Sequence, residues 1–269
     1  MEIKLLIEKS KEYRKAILTM IKHANTGHTG GSLSCVDILN VLYNGVMVVS
    51  PETVHDPNRD RYVHSKGHSV EALYAVLAER GFFPESELDT LCAYGSAYIG
   101  HPTRKITGIE HNTGALGHGL SFAVGVALAG KLDQRPWVFT LLGDGELAEG
   151  SNWEACMAAA HYHLDNLVVI VDRNRLQISG PTEDVMSLEP LADKFRAFGL
   201  AVRCVDGHDL GALQELLGKI PFEPGKPSLV LAQTVKGKGV SFIENRVDWH
   251  HHVPSDAEFA QALVELDPG

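Results

Sequence analysis

Apolar residues recur at helical spacing over the first two dozen positions, at Ile3, Leu6, Ile7, Tyr13, Ile17, Leu18 and Ile21. This pattern predicts an amphipathic helix over residues 2–24. Gly27, Gly30 and Gly31 then read as a loop, with a second helix expected from about Cys35 to Tyr43. Residues 51–61 are polar and turn-rich, and Tyr62-Val63-His64 reads as a short strand. Ser69 stands as the N-cap of a helix running to Glu79, with Gly81 as its stop signal. A loop from Gly95 to Gly117 leads into a helix over Leu120–Leu132, whose Gly and Ala content calls for close packing against a neighbour.

The second half changes period. Residues 137–142 (WVFTLL) and 167–171 (LVVIV) are continuous apolar runs, not alternating ones, as strands buried on both faces should be. Residues 201–205 and 228–234 read as two more strands, and residues 151–163 and 210–217 as helices. Strand, helix, strand with short links requires parallel pairing and right-handed crossovers. The expected class is α/β: a three-layer, doubly wound parallel sheet forming a single domain over residues 1–269.

Composition narrows the function. The chain has 269 residues, 44% of them hydrophobic, which suffices for a buried core. With 24 basic and 34 acidic side chains the net charge is −10 and there is no basic patch, so neither nucleic acid nor an anionic membrane is an expected partner. No apolar run approaches a spanning helix, and the charged opening MEIKLLIEKSKEYRK is unlike a signal or transit sequence. Cys35, Cys92, Cys156 and Cys204 are scattered without a CxxC pair, as suits free thiols and a cytoplasmic location. The 14 histidines, many beside glycine, are unusual.

Open parallel sheets bind ligands beyond the carboxyl ends of their strands. Two of the apolar runs end there in polar residues, Gly143-Asp144-Gly145 and Asp172-Arg173-Asn174. If those strands are neighbours, Asp144 and Asn174 share a rim. A carboxylate with an amide oxygen is a hard, incomplete ligand set that suits Mg²⁺ or Ca²⁺ and leaves room for a phosphate. Gly143 and Gly145 would let that phosphate approach backbone N–H groups. A plain tight turn is the competing account of the GDG alone.

GDG at 143–145, the 28 residues 146–173 and then Asn174 resemble the thiamine diphosphate motif. The segments DRYVHSKGH, IGHP, NTGALGHG, LLGDGELAEGSNWEA and DNLVVIVDRN are similar to the amino-terminal half of transketolases, over about Leu5 to Leu266. The resemblance implies a thiamine diphosphate-binding fold, with Asp144, Asn174 and the carbonyl of Leu176 as metal ligands. It also implies cofactor contacts at His68, Gly114, Leu116, Gly143, Asp144, Gly145, Glu149, Asn174 and Ile178. His28, His68 and His101 match the family's active-site histidines, and His250 is preferred to His251 or His252 for a fourth. Imidazoles suit that task, since they hydrogen-bond hydroxyls and move protons near neutral pH. Arg173 stands where the family commonly has a second Asn, Ala115 where it has Pro, and His118 where it often has Gln. Glu149 and Glu154 fall where the family places acidic residues at the subunit interface. Lys236-Gly237-Lys238-Gly239 reads as scaffold or a weak anion site.

The family's proton-abstracting Glu sits on a second, pyrimidine-binding domain that the matched region does not include. The implied enzyme is therefore a split transketolase: this chain with a C-terminal partner subunit, two of each, moving a two-carbon ketol unit between sugar phosphates. Competing readings are a transketolase for sulfonated or branched sugars, another thiamine diphosphate enzyme such as a 1-deoxyxylulose-phosphate synthase, a non-catalytic subunit, a phosphohydrolase and a structural zinc site.

Overall fold

The continuous apolar runs become adjacent parallel strands. The computed structural model describes residues 1–132 and 137–267; residues 133–136, just before the Gly143 strand, and residues 268–269, at the end of the expected domain, lie outside the described residues. The strands are β1 (Arg61–His64), β2 (Val138–Gly143), β3 (Leu167–Arg173), β4 (Leu176–Gln177), β5 (Gly180–Pro181), β6 (Ala201–Asp206) and β7 (Ser228–Gln233). Five of them form one parallel sheet in the order β1-β2-β3-β7-β6, while β4 and β5 make a short antiparallel hairpin. The helices are α1 (Ile3–Ala24), α2 (Thr29–Val41), α3 (Val70–Glu79), α4 (Gly119–Leu132), α5 (Gly150–His161), α6 (Thr182–Val185), α7 (Leu191–Ala197), α8 (Leu210–Leu217) and α9 (Asp256–Leu266).

Alternate residues of the sheet feed two cores, which makes the three layers. Phe139, Leu141, Val168, Ile170 and Val230 face α1, α2, α3 and α8. Val138, Leu142, Val169, Val171 and Leu229 face α4, α5 and α7. Each such Val, Leu or Phe contributes on the order of 1.5–3 kcal/mol by leaving water. Central β3 is buried along its whole length, so Asp172 and Arg173 at its end lie inside the protein. Strand β6 is one of the two edges, and Arg203 and Cys204 on it are exposed.

Several boundaries depart from expectation. Helix α2 starts at Thr29, several residues before Cys35, and takes in Gly30 and Gly31. These glycines serve proximity, not a turn: a Cβ on Gly30 would stand 2.8 Å from the Trp249 carbonyl oxygen. The helix at 151–163 stops at His161, because His163 adopts a left-handed backbone at φ 51°. Helices α6, α7 and α9 were not expected. Helix α9 carries a full capping box, Ser255 with Glu258, a pattern that marks a helix start.

Candidate functional site

Because β2 and β3 are neighbours with Gly143 opposite Asp172, Asp144 and Asn174 do emerge on one rim. They line a cavity of about 300 Å³ with Leu176, Gln177, Ile178, Gly143, Gly145, Gly114 and Leu116. Lys66, Glu146, Lys236, His68, Gly31 and His250 complete the lining. Asp144 is buried, and burial together with the nearby Asp172 pushes its carboxyl above the ordinary range. Its Oδ2 accepts from the Arg175 backbone and, at 3.2 Å, from Arg173 Nη1. Asn174 Nδ2 donates to Asp172 Oδ2 at 3.3 Å, which fixes the amide, and Asn174 Oδ1 accepts from Leu176 N at 3.0 Å.

Behind this rim lies a second carboxylate, Asp172. It is fully buried and accepts from Lys66, from Thr234 and, at 2.6 Å, from Ser34. Lys66 Nζ also donates to the Gly31 carbonyl at 2.8 Å. Lys236 is buried too. Its Nζ lies 2.7 Å from His250 Nδ1 and 3.4 Å from the Leu176 carbonyl, and burial beside the Lys66 ammonium lowers it to about 8. Lys66 is already matched by Asp172, so it is the Lys236 ammonium that calls for an anion at this end of the cavity.

The expected glycine cradle is only partly free. Gly145 N donates to Asp144 Oδ1 at 2.8 Å, and Gly143 N to Glu146 Oε2 at 3.0 Å. Glu146, buried, also accepts from Gly117 N at 2.9 Å and from Ser65. It fastens the GDG turn to the 113–117 loop. The cationic side of the cavity is supplied instead by Lys236, from the segment expected to be scaffold or a weak anion site.

The histidines converge. His28 lies with its ring 5.4 Å from His68, 6.1 Å from His101, 5.6 Å from His250 and 4.6 Å from His251. Burial, then His251 and His101, lowers the His28 imidazole to about 3. Burial and Lys236 do the same to His250, and burial takes His68 well below its usual value. These rings are neutral at physiological pH. Glu71, fully buried, accepts the His28 backbone N–H at 3.0 Å and so fixes the main chain there, while His28 Nδ1 is buried without a protein partner.

Every expected site residue therefore belongs to the cavity or to the histidine wall beside it, except Glu149. That residue is exposed, at the N-terminal edge of α5. Ile178 lines the mouth and is 69% exposed. His64, a candidate ligand for the competing zinc reading, is engaged by Tyr62 and Ser69, and among the described residues no group of three His, Cys, Asp or Glu side chains is placed to hold a metal ion. Lys66, Glu146 and Lys236 were missed as site residues. The KGH and KGKG segments carried the two lysines, but nothing local distinguishes a lysine buried at a ligand from one in solvent.

The donor set fits the expected groups. A carboxylate, an amide oxygen and a backbone carbonyl suit a hard divalent cation, and the adjacent ammonium suits a diphosphate. Residues 8–266 match the family described as Transketolase, thiamine diphosphate binding domain. The chain is 46% identical over 267 residues to a subunit of the apulose-4-phosphate transketolase of Phocaeicola vulgatus, covering 99% of this chain and 95% of that one. It is 43% identical to a 6-deoxy-6-sulfo-D-fructose transketolase subunit of a Clostridium species, covering 94% and 93% of the two chains. The crystal structure of Campylobacter jejuni transketolase superposes with a TM-score of 0.93 at 32% identity over 99% of this chain, which spans 43% of that one. No helix among the described residues is long and apolar enough to cross a membrane. With the motif, the sheet and the cavity in agreement, the chain belongs to the transketolase family, as its thiamine diphosphate-binding domain.

Proposed function

We propose that the chain is the cofactor-binding subunit of a two-subunit, Mg²⁺-dependent transketolase that moves a two-carbon ketol unit from a ketose to an aldose, as free sugars or phosphates. One observation carries this: a hard oxygen set, a buried ammonium and a wall of neutral imidazoles meet in one cavity. Asp144, Asn174 and the Leu176 carbonyl would hold Mg²⁺ (or Ca²⁺), and Lys236 the diphosphate. Bound thiamine diphosphate supplies the electron sink that cleavage beside a carbonyl requires. The protein's share is orientation and proton handling. His28, His68, His101 and His250 accept from or donate to sugar hydroxyls; His250 Nδ1 is taken by the Lys236 ammonium, so that ring acts through Nε2, while the other neutral rings can carry their proton on either nitrogen.

The partner in this reading is a C-terminal, pyrimidine-binding subunit, with two copies of each chain assembled, in the cytoplasm. Both relatives are themselves named as subunits and are matched over nearly their full length. The bare Ile178 side chain and the exposed Glu149 fit surfaces that a partner covers. Residues 1–269 act here as one domain. The relatives' names also support a specialised donor, a branched or sulfonated sugar.

The test combines the chain, its partner, Mg²⁺ and thiamine diphosphate with ketose and aldose phosphates, then with branched and sulfonated ketoses, and analyses products. Two-carbon transfer by the pair alone supports the proposal. Robust turnover by this chain without a partner overturns the split, and phosphate release without thiamine diphosphate overturns the reaction class.

A further inference from the structure

Two buried groups, Arg14 and Asp37, and the half-buried His208 form one connected unit outside the cavity. Arg14 on α1 donates from Nη1 and Nη2 to the two carboxylate oxygens of Asp37 on α2, at 2.9 and 2.7 Å. His208, just after β6, places Nδ1 2.7 Å from Asp37 Oδ2 and receives the Val235 backbone N–H on Nε2 at 2.8 Å. An amide N–H can only donate, so Nε2 carries no proton. The ring proton is therefore on Nδ1, donated to Asp37. Both nitrogens of His208 are thus committed, and the ring cannot turn without losing two bonds.

This unit holds the turn that carries Lys236. His208 takes the amide of Val235 at one end, and Arg14 Nε donates to the carbonyl of Lys238 at the other, at 2.8 Å. Between them Gly237 N donates to the Gly30 carbonyl at 3.0 Å, and the Lys236 carbonyl accepts from Asn245 N at 2.9 Å. Gly237 has φ +81°, and a Cβ there would stand 2.6 Å from the Ile243 carbonyl oxygen, so the turn has no room to shift toward that side. Lys236 leaves this turn with its Nζ in the cavity, whereas Arg14, Asp37 and His208 do not line it.

We infer that Arg14, Asp37 and His208 are positioning residues that set the depth and direction of the Lys236 ammonium toward the cofactor's diphosphate. A lysine side chain has four rotatable bonds, so where its charge sits depends on the backbone it leaves. A turn fastened at both ends supplies that constraint before the ligand arrives, and preorganisation of this kind is worth affinity. The inference rests on the reading of the cavity as a Mg²⁺–thiamine diphosphate site.

Two measurements test it. The first is hydrogen exchange at the Val235 and Gly237 amides in the full chain, for wild type, His208→Asn and His208→Gln. Asn keeps a donor for Asp37 but loses the acceptor for Val235, while Gln can place an oxygen where Nε2 stood. Faster exchange at Val235 and Gly237 in H208N, reversed in H208Q, is expected. The second is calorimetric affinity for thiamine diphosphate with Mg²⁺, on the chain assembled with its partner subunit. H208N should weaken binding about tenfold, the scale of one lost hydrogen bond, and H208Q should stay within about threefold. Lys236→Met should weaken binding as well, and adding H208N to it should cost nothing more, because the histidine acts through the lysine. Additive losses, or wild-type affinity in H208N, would overturn the inference. Wild-type protein that binds no thiamine diphosphate overturns the cofactor reading and the role of Lys236 with it, whereas unchanged exchange in H208N overturns the clamp itself.

Discussion

Arg173 donates from Nη1 to Oδ2 of Asp144 across the ends of two neighbouring strands, at 3.2 Å. The same guanidinium reaches Thr182 at 2.7 Å, Glu183 at 2.8 Å and Glu189 at 3.0 Å, tying the Asp144 carboxylate to the segment after the β4–β5 hairpin. Arg173 is 1% exposed, so its charge depends on these partners. Replacing it with Met leaves Asp144 buried with less compensation, at a cost of about 3–5 kcal/mol by the usual scale for half of a buried pair. A divalent cation can take over part of that role. The expected result is a lower melting temperature for R173M and a larger rise on adding Mg²⁺ than wild type shows; calorimetric scans with Mg²⁺ and with EDTA measure it.

A second buried pair, Lys66 with Asp172, gives a cleaner stability test. Asp172 also accepts from Ser34, Thr234 and Asn174, so removing the lysine does not strip it bare. Lys66→Met is expected to cost about 3 kcal/mol, the lower end for such a lesion. The double variant K66M/D172L should be less destabilised than the sum of the two singles, because it leaves no lone charge behind. Urea denaturation of the four proteins decides this.

The neutral histidine wall makes stability depend on pH with a definite sign. His28 and His250 are lowered to about 3 by burial, whereas in the unfolded chain they titrate near 6.5. Between those values the unfolded state binds more protons, so their contribution is intact above about pH 6.5 and is lost as pH falls toward 3. The urea midpoint should decline through this window, and His28→Asn should flatten the decline. A slope equal to wild type in that variant would show that His28 does not carry the effect.

Gly30 sets two magnitudes against each other. Alanine in a helix is favoured over glycine by about 1 kcal/mol, yet a Cβ here meets the Trp249 carbonyl oxygen at 2.8 Å and Lys236 Cγ at 3.0 Å. Overpacking against backbone costs about 1–3 kcal/mol, so the clash wins. G30A should be destabilised, and its displaced Trp249–His250 turn should weaken cofactor binding; a melting curve and a titration of the assembled enzyme report both.

The strands were readable because burial on both faces forces a largely unbroken apolar run, which β2 keeps apart from Thr140 and β3 keeps up to Val171. Asp144 and Asn174 were readable for the same reason, since each stands where such a run ends. The start of α2 was not. Gly30 and Gly31 look like a loop until Trp249 and Lys236, from the far end of the chain, are seen packed against Gly30. Lys236, Lys66 and Glu146 share that difficulty: their place in the site comes from tertiary neighbours, with no local pattern to announce it. Helix α9 was not expected either, although its Ser255–Glu258 capping box is a local signal that the sequence does carry.

The wall around His28 has one further consequence. A neutral imidazole offers one donor and one acceptor, and wherever neither nitrogen is already committed, as His250 Nδ1 is to Lys236, which nitrogen plays which part can exchange with little change of ring position. Several such rings side by side form a surface whose hydrogen-bond polarity can be rewritten to match the stereochemistry of whichever polyol lies against it. Such a wall does not commit the fold to one sugar, so selection among donors can change through residues elsewhere while these histidines stay where they are.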